Sequence, residues 1–318
     1  MALSNTTFRK LQDIVGNAYC SRKKEDLVCY AYDATAVSYL PDAVLFPGNT
    51  QEISAIINLA NEDGFFVIPR GSGSGMTGGS LAVQGGVILV MNRFNRILEI
   101  DKDNLIAHVE PGVVTARFHQ AVEKEGLFYP PDPSSSEFST LGGNLAECAG
   151  GPRAVKYGVT RDYVLGLEAV LPTGEIIRAG VRTAKGVVGY DLTRLMVGSE
   201  GTLGIITRIT VRLLPLPEAI RAMTAVFDSL EKAAETVSEI IAQGIIPRTL
   251  EFMDHASIRC VKSHLRMDLP FEIGALLLIE VDGQFETVDI LIKQLETVCM
   301  SQGAKHIKFA ETLSLIHI

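Results

Sequence analysis

The sequence contains no hydrophobic run long enough to cross a bilayer, no excess of basic charge and no paired cysteines. Its longest apolar stretches, around Val87–Met91 and Ala275–Ile279, are strand-sized. A spanning helix needs roughly 18 apolar residues. The N-terminus, Met1-Ala-Leu-Ser-Asn-Thr-Thr-Phe-Arg-Lys10, lacks the basic-then-apolar order of a secretory signal. A formal charge of −8 speaks against nucleic-acid and anionic-membrane binders, which need a basic face. The five cysteines (Cys20, Cys29, Cys148, Cys260, Cys299) are scattered, odd in number and never C-x-x-C. That pattern argues against a disulfide framework or an iron–sulfur site and fits reduced thiols in a cytoplasmic protein. His108, His119, His255, His264, His306 and His317 form no H-x-x-x-H or H-x-H pair, so a helical zinc site is not expected. G-x-S-x-G, G-K-[ST] and H-E-x-x-H are also missing, which leaves no hydrolase, P-loop or zinc-protease signature.

What is present is a chain of 318 residues, 47% hydrophobic, long enough for two domains. A helix is expected within Phe8–Ala18. From Ala43 short strands and helices alternate: strand Val44–Phe46, a helix capped by Thr50 with Ile53, Ile56, Ile57 and Ala60 on one face, and strands Phe65–Ile68, Val87–Met91 and Ala107–Val109. A helix over Thr115–Glu125 precedes the Pro-rich turn Tyr129–Pro133. Val164–Leu171 and Ile176–Ala179 read as a hairpin closed by Pro172-Thr-Gly-Glu. Strand-rich Thr202–Leu213 ends at Pro215 and Pro217, a domain boundary. Beyond it, strands Ala222–Phe227, Arg248–Met253, Gly274–Val281 and Lys305–Phe309 alternate with helices Ser229–Gln243, Asp254–His264 and Glu286–Met300, the pattern of a split βαβ sandwich.

Residues 69–80 hold five glycines in twelve, where composition predicts about one. Clustered glycines expose successive backbone N–H groups, which can wrap an anionic phosphate. Gly73-Ser-Gly-Met-Thr-Gly78 satisfies G-x-G-x-x-G, yet only Ser80–Gln84 separates it from Gly85-Gly86 and the next strand. That strand ends at Asn92 rather than an acid, so the helix and the ribose carboxylate of a Rossmann site have no place. Two further small-residue loops follow, within 130–151 and at Val197–Thr207, suiting a long, doubly anionic ligand in a groove. Residues 150–212 carry nine Lys or Arg and five Asp or Glu, a local +4 against −12 elsewhere. This basic segment is expected beside a pyrophosphate.

Taken in order, Arg70-Gly-Ser-Gly-Ser-Gly-Met-Thr-Gly-Gly79, Pro131-Asp132, Thr140-Leu-Gly-Gly-Asn144, Ala149-Gly-Gly151, Gly189-Tyr-Asp-Leu192 and Gly198-Ser-Glu-Gly-Thr-Leu-Gly-Ile205 resemble FAD-binding oxidoreductases of the vanillyl-alcohol-oxidase, or PCMH, type. The resemblance is nearest to the branch that holds the D-lactate dehydrogenases and glycolate oxidases. It implies an α+β fold: a helical extension over 1–40, a PCMH-type FAD-binding domain over 41–216 made of α/β subdomains at about 43–104 and 105–216, and a partial ferredoxin-like cap over 217–318. It also implies that Arg70, Gly71, Ser72, Gly73, Ser74, Gly75, Thr77, Gly78 and Gly79 hold the pyrophosphate. Pro131, Asp132, Ser136 and Thr140 with Gly142, Gly143 and Asn144 would lie along the flavin and ribityl chain. Gly150, Gly151, Asp162 and Glu200, Gly201, Gly204, Ile205 and Ile206 would complete the cofactor contacts. No histidine stands in the first loop, so the FAD is expected to be non-covalent.

The implied chemistry is oxidation of a D-2-hydroxy acid of glycolate or D-lactate type, by hydride transfer to flavin N5. An electron acceptor or partner subunit is implied with it. The family's G-H-x-G-D-G-N-x-H-like segment and substrate arginine have no counterpart before Ile318, so no catalytic base or metal ligand is assigned, and the chain is expected to be C-terminally truncated. A FAD-binding module that needs a partner or a further segment for turnover is the alternative.

Overall fold

In the computed structural model, residues 3–183, 185–261 and 273–310 are described. The chain forms two compact units, Met1–Gly150 with Val159–Pro215, and Gly151–Gly158 with Leu216–Ile318.

The first unit begins with α1 (Asn5–Val15), whose cap Ser4 accepts from the Thr7 amide at 3.0 Å. β1 (Cys20–Ser21) and α2 (Lys24–Cys29) follow, then β2 (Ala43–Leu45), α3 (Thr50–Asp63), β3 (Val67–Arg70) and β4 (Val87–Val90). The first sheet has the order β1-β2-β4-β3, with β2 and β3 parallel to β4 and β1 antiparallel to β2. Parallel strands covered on both faces read as continuous apolar runs, and β2 and β4 are buried throughout. Leu11 and Val15 of α1 with Ile53, Ile56 and Leu59 of α3 cover one face; Leu27, Ala82 and Tyr30 pack on the other. Each such aliphatic side chain contributes about 1.5–3 kcal/mol through burial.

Two expectations change here. The first 40 residues are not an appended extension, because α1 and β1 are built into this sheet and its core. The cap of α3 is Asn49, not Thr50. Asn49 Oδ1 accepts the Glu52 amide at 2.9 Å, while Glu52 accepts from Asn49 Nδ2 and the Gly48 amide. Thr50 is freed to donate to Glu168 at 3.0 Å.

The second sheet contains β5 (Ile97–Asp101), β6 (Ile106–Val109), β8 (Val164–Val170), β9 (Ile176–Gly180) and β10 (Ile205–Arg212), antiparallel in the order β5-β6-β10-β8-β9. β7 (Leu127–Phe128) pairs with β11 (Leu214–Pro215). The β8–β9 hairpin closes as the Pro-Thr-Gly turn implies, with the Leu171 amide on Glu175 O at 2.8 Å. Between strands lie α4 (Thr115–Glu123), α5 (Leu141–Glu147), α6 (Ala154–Tyr157) and α7 (Leu192–Met196). α5 corrects the expectation of a loop over 130–151. Thr140 caps it and Leu141, Asn144 and Leu145 bury one face, so packing overrides the low helix propensity of Gly142 and Gly143.

The second unit is β12 (Ala219–Phe227), α8 (Leu230–Ala242), β13 (Thr249–Asp254), α9 (His255–Val261), β14 (Ala275–Gly283), α10 (Phe285–Ser301) and β15 (His306–Phe309). Its antiparallel order β13-β14-β12-β15 is ferredoxin-like. Alternate residues of β12 and β14 (Met223, Ala225, Phe227; Leu277, Ile279, Val281) pack against Ala233, Ile240, Val288, Ile292 and Leu295 of α8 and α10. α6 groups with this unit rather than with the first-unit residues around it in sequence. Of the helix expected over 254–264, only His255–Val261 is described; His264, His317 and residues 311–318 lie outside the described residues. No described helix is long and apolar enough to cross a membrane.

Candidate functional site: a glycine-lined cleft in the first unit

β3 delivers the chain into the loop Gly71–Ser80, and β4 follows with no helix between. The Rossmann context is therefore absent. The loop meets α5 and the Ser199–Ile206 segment around a cleft of about 260 Å³. Thr77 Oγ1 donates to Glu147 Oε1 at 2.8 Å across it. The α5 end and the third segment are stitched by Gly198 N to Leu145 O (2.8 Å) and Glu200 N to Ala146 O (3.0 Å). Cys148 (φ 50°) and Glu200 (φ 52°), on either side of this stitch, hold left-handed backbone without being glycine. Such strain costs on the order of 1 kcal/mol and concentrates at ligand clamps.

The loop glycines divide by what stands behind them. A Cβ on Gly71 would run into Thr140 Oγ1, and one on Gly73, at φ 73°, would fall within the Arg70 guanidinium. These two are demanded by the chain's own packing. Gly75 is different: its backbone is ordinary, and a Cβ there would meet only Glu147 Oε1, at 3.5 Å. Nothing in the protein's own packing requires glycine at 75, which leaves its backbone open toward the cleft.

Arg70 sits at 5% exposure and donates to Tyr32 O at 2.7 Å and Ser80 Oγ at 3.2 Å. Burial lowers its pKa from the ordinary value, with the Asp33 charge opposing. From the cleft wall it braces both ends of the loop, its guanidinium engaged by Tyr32 O and Ser80 Oγ. Among the described residues, the backbone N–H groups of Ser72 through Gly78 donate to no protein acceptor. They form a run of free donors, as an oxyanion needs. The first turn of α5 offers no such set, since the amides of Leu141, Gly142 and Gly143 are taken by Val113 O, Pro111 O and Thr140 Oγ1.

The expectation of a basic lining from residues 150–212 is corrected. None of its lysines or arginines lines the cleft. Arg178 is engaged by Glu168, Arg194 by Asp162 and Asp191, and Lys156 by Asp282. The charged side chains at the cleft are Asp33, Arg70, Glu147 and Glu200.

Of the residues singled out from sequence, Arg70 through Gly75, Thr77, Gly79, Thr140, Gly142, Gly143, Asn144, Glu200, Gly201, Gly204, Ile205 and Ile206 line the cleft. Gly78, Pro131, Asp132, Ser136, Gly150, Gly151 and Asp162 do not. Pro131 is buried with its carbonyl on His119 Nε2 at 2.9 Å. Ser136 closes a turn on Pro133 O. Asp162 accepts the Val159 amide at 2.9 Å, and Gly151 belongs to the second unit. Sequence reasoning missed Asp33, Glu147, Ser199 and the loop neighbours Ser135 and Ser139. Glu147 lay inside the small-residue stretch 130–151, but only the helix α5, which that stretch did not announce, carries it to the cleft. Asp33 carried no signal, because only the fold brings it to Arg70. No histidine, cysteine or tyrosine among the described residues lines the cleft.

A family model described as FAD binding domain matches residues 41–180, and one described as FAD linked oxidases, C-terminal domain, matches 216–314. The chain is 50% identical over 284 residues to the glycolate oxidase subunit GlcD of Bacillus subtilis (strain 168), covering 89% of this chain and 60% of that protein. It is 38% identical over 282 residues to the D-lactate dehydrogenase of Anaerostipes hadrus, covering 86% of this chain and 59% of that one. It thus spans about three fifths of these relatives. In fold it resembles crystalline alkyldihydroxyacetonephosphate synthase (TM-score 0.81, 22% identity, 99% of this chain and 62% of that one). It also resembles p-cresol methylhydroxylase with substrate bound (TM-score 0.78, 18% identity, 99% and 69%).

Proposed function

This chain belongs to the FAD-linked oxidoreductases, with FAD as cofactor, and from that premise we propose that it oxidises a D-2-hydroxy acid of the glycolate or D-lactate type. The observation that carries the reading is the run of free N–H donors from Ser72 to Gly78 along a cleft whose Gly75 faces no protein atom closely. Those donors would hold the pyrophosphate, with Arg70 keeping the loop in shape. Thr140–Asn144 on one flank and Glu200–Ile206 on the other would border the rest of the cofactor. The carboxylates of Glu147 and Glu200 accept hydrogen bonds, so they suit hydroxyl groups and not phosphate. A cleft wall that offers no histidine, cysteine or tyrosine among the described residues supports the reading of a non-covalently held flavin. When bound, FAD supplies the hydride acceptor.

The name of the first relative, an oxidase subunit, supports a partner subunit or another electron acceptor for reoxidation. A second reading, a flavin module that needs a partner or further segment for turnover, draws on the three-fifths span. Anaerobic addition of D-lactate or glycolate to the FAD-loaded chain separates the two. Bleaching of the flavin absorbance supports turnover by this chain; a bound flavin that neither acid bleaches supports the module.

A further inference from the structure

Asp33, in the first unit, lines the cleft at 5% exposure. It sits in a short hairpin in which Tyr32 pairs with Ser38 and the Ala34 amide donates to Gly75 O at 3.2 Å. Its two carboxylate oxygens are used differently. Oδ1 accepts the Thr35 amide at 2.9 Å and the Thr35 hydroxyl at 2.5 Å, closing an Asx turn. Among the described residues nothing donates to Oδ2. Arg70 feels the Asp33 charge, yet its guanidinium bonds Tyr32 O and Ser80 Oγ instead. Nor is Oδ2 one of the sealed, unsatisfied side-chain atoms of the protein. The little surface that Asp33 keeps therefore includes Oδ2, and the cleft is where it opens.

A nearly buried carboxylate oxygen without a donor is costly, and the turn has no use for it, because a single side-chain oxygen closes a turn of this kind. A ligand in the cleft can supply the donor. Through Ala34 the Asp33 turn is fastened beside Gly75, inside the run of free N–H groups from Ser72 to Gly78. Those N–H groups take any oxyanion and do not tell a dinucleotide from a bare phosphate. A carboxylate does: it accepts from hydroxyl and N–H donors and repels an anion that offers none. In FAD the pyrophosphate is flanked on both sides by sugar hydroxyls, those of the ribityl chain and of the ribose. Inorganic pyrophosphate brings the charge without the sugars.

We propose that Asp33 is a specificity-determining residue of the cleft: its Oδ2 accepts a ribityl or ribose hydroxyl next to the pyrophosphate of FAD and disfavours anions that carry no sugar. This rests on the FAD reading above. Asp33→Asn separates the two oxygens. The amide oxygen can still take both Thr35 donors and keep the turn, while the cleft side changes from a charged acceptor to a neutral donor. Thr35→Val is the converse, since it removes the hydroxyl bonded to Oδ1 and leaves Oδ2 as it is.

The test uses the full chain, with FAD titrated by flavin fluorescence, sodium pyrophosphate as competitor in metal-free buffer, and a thermal melt of the apo-protein. Asp33→Asn is expected to weaken FAD binding about tenfold while pyrophosphate binds more tightly than to the parent, with the melt unaltered. Thr35→Val is expected to lower the melt and leave the ratio of FAD to pyrophosphate affinity as in the parent. A merely structural role for Asp33 would weaken both ligands together and lower the melt. Should Asp33→Asn fail to fold, Asp33→Ser takes its place, because a serine hydroxyl can accept the Thr35 amide and leaves no charge facing the cleft. Parent-like FAD affinity, or FAD and pyrophosphate affinities that fall together, overturns the proposal. Failure of the parent chain to bind FAD overturns the flavin reading instead.

Discussion

Gly75→Val separates a glycine needed by the fold from one needed by the ligand. In the protein alone, a Cβ at 75 makes one ordinary contact, 3.5 Å to Glu147 Oε1, and the backbone is not left-handed. The unfolded chain loses freedom, worth about 0.4–1 kcal/mol in favour of the folded state. The apo-protein should therefore melt within a few degrees of the parent, since each kcal/mol moves a unit of this size by about 2–4 °C. The ligand meets a different surface, because the branched side chain covers donors in the run Ser72–Gly78. Losing two hydrogen bonds to phosphate, at about 1.5 kcal/mol each, costs about 3 kcal/mol, or roughly a hundredfold in Kd. Gly73→Ala is the internal contrast. Its φ of 73° adds about 1 kcal/mol of strain, and the new methyl displaces Arg70 from buried partners worth about 1–3 kcal/mol. That variant should lose several degrees in the apo melt before any flavin is added. Thermal melts monitored by circular dichroism and FAD titrations by flavin fluorescence read both. A Gly75→Val protein that binds FAD within threefold of the parent, or that melts as low as Gly73→Ala, would refute the division of the glycines.

Arg70→Met should lower the apo melting temperature and weaken FAD binding together, because it unties Tyr32 O and Ser80 from the loop; loss of affinity with an unchanged melt would place Arg70 at the ligand instead. Burial pushes the Glu168 carboxyl up, but hydrogen bonds from Arg178, Thr50 and Thr207 outweigh it and leave the pKa below its ordinary 4.5. A depressed carboxyl stabilises the fold above its unfolded pKa, and that stability is lost as pH falls through the folded value. The urea midpoint should therefore fall on acidification below about 4.5, and fall less in Glu168→Gln; equal slopes would contradict this. Burial pushes the Cys299 thiol up to about 12, so peptide mapping after maleimide treatment at pH 8 should find it unmodified in the native protein and modified after denaturation, while exposed Cys29 reacts in both. Labelled Cys299 in the native state would contradict its buried place on the core face of α10.

The glycine loop at 71–79 was readable because clustered glycines have few other uses, and the missing helix before Val87 was enough to reject a Rossmann site. The β8–β9 hairpin and the strand–helix alternation after Pro217 followed from turn chemistry and periodicity. α5 was not readable: Gly142 and Gly143 argue against a helix, and only burial of Leu141 and Leu145 in the first unit makes one. Ala154–Tyr157 group with the second unit, where Lys156 bonds Asp282 126 residues away, and no local pattern announces it. The basic stretch 150–212 misled because net charge along a sequence says nothing about which way side chains point. Arg178 and Arg194 neutralise nearby carboxylates, while the cleft draws its positive character from backbone N–H groups that a count of charges omits.

Flavin uptake is the decisive measurement. The purified chain should take up one FAD per chain, give a flavin absorbance spectrum, and release the flavin entirely on acid precipitation. A chain that takes up no FAD would contradict the reading of the cleft, and flavin that stays with the precipitated polypeptide would contradict its non-covalent hold.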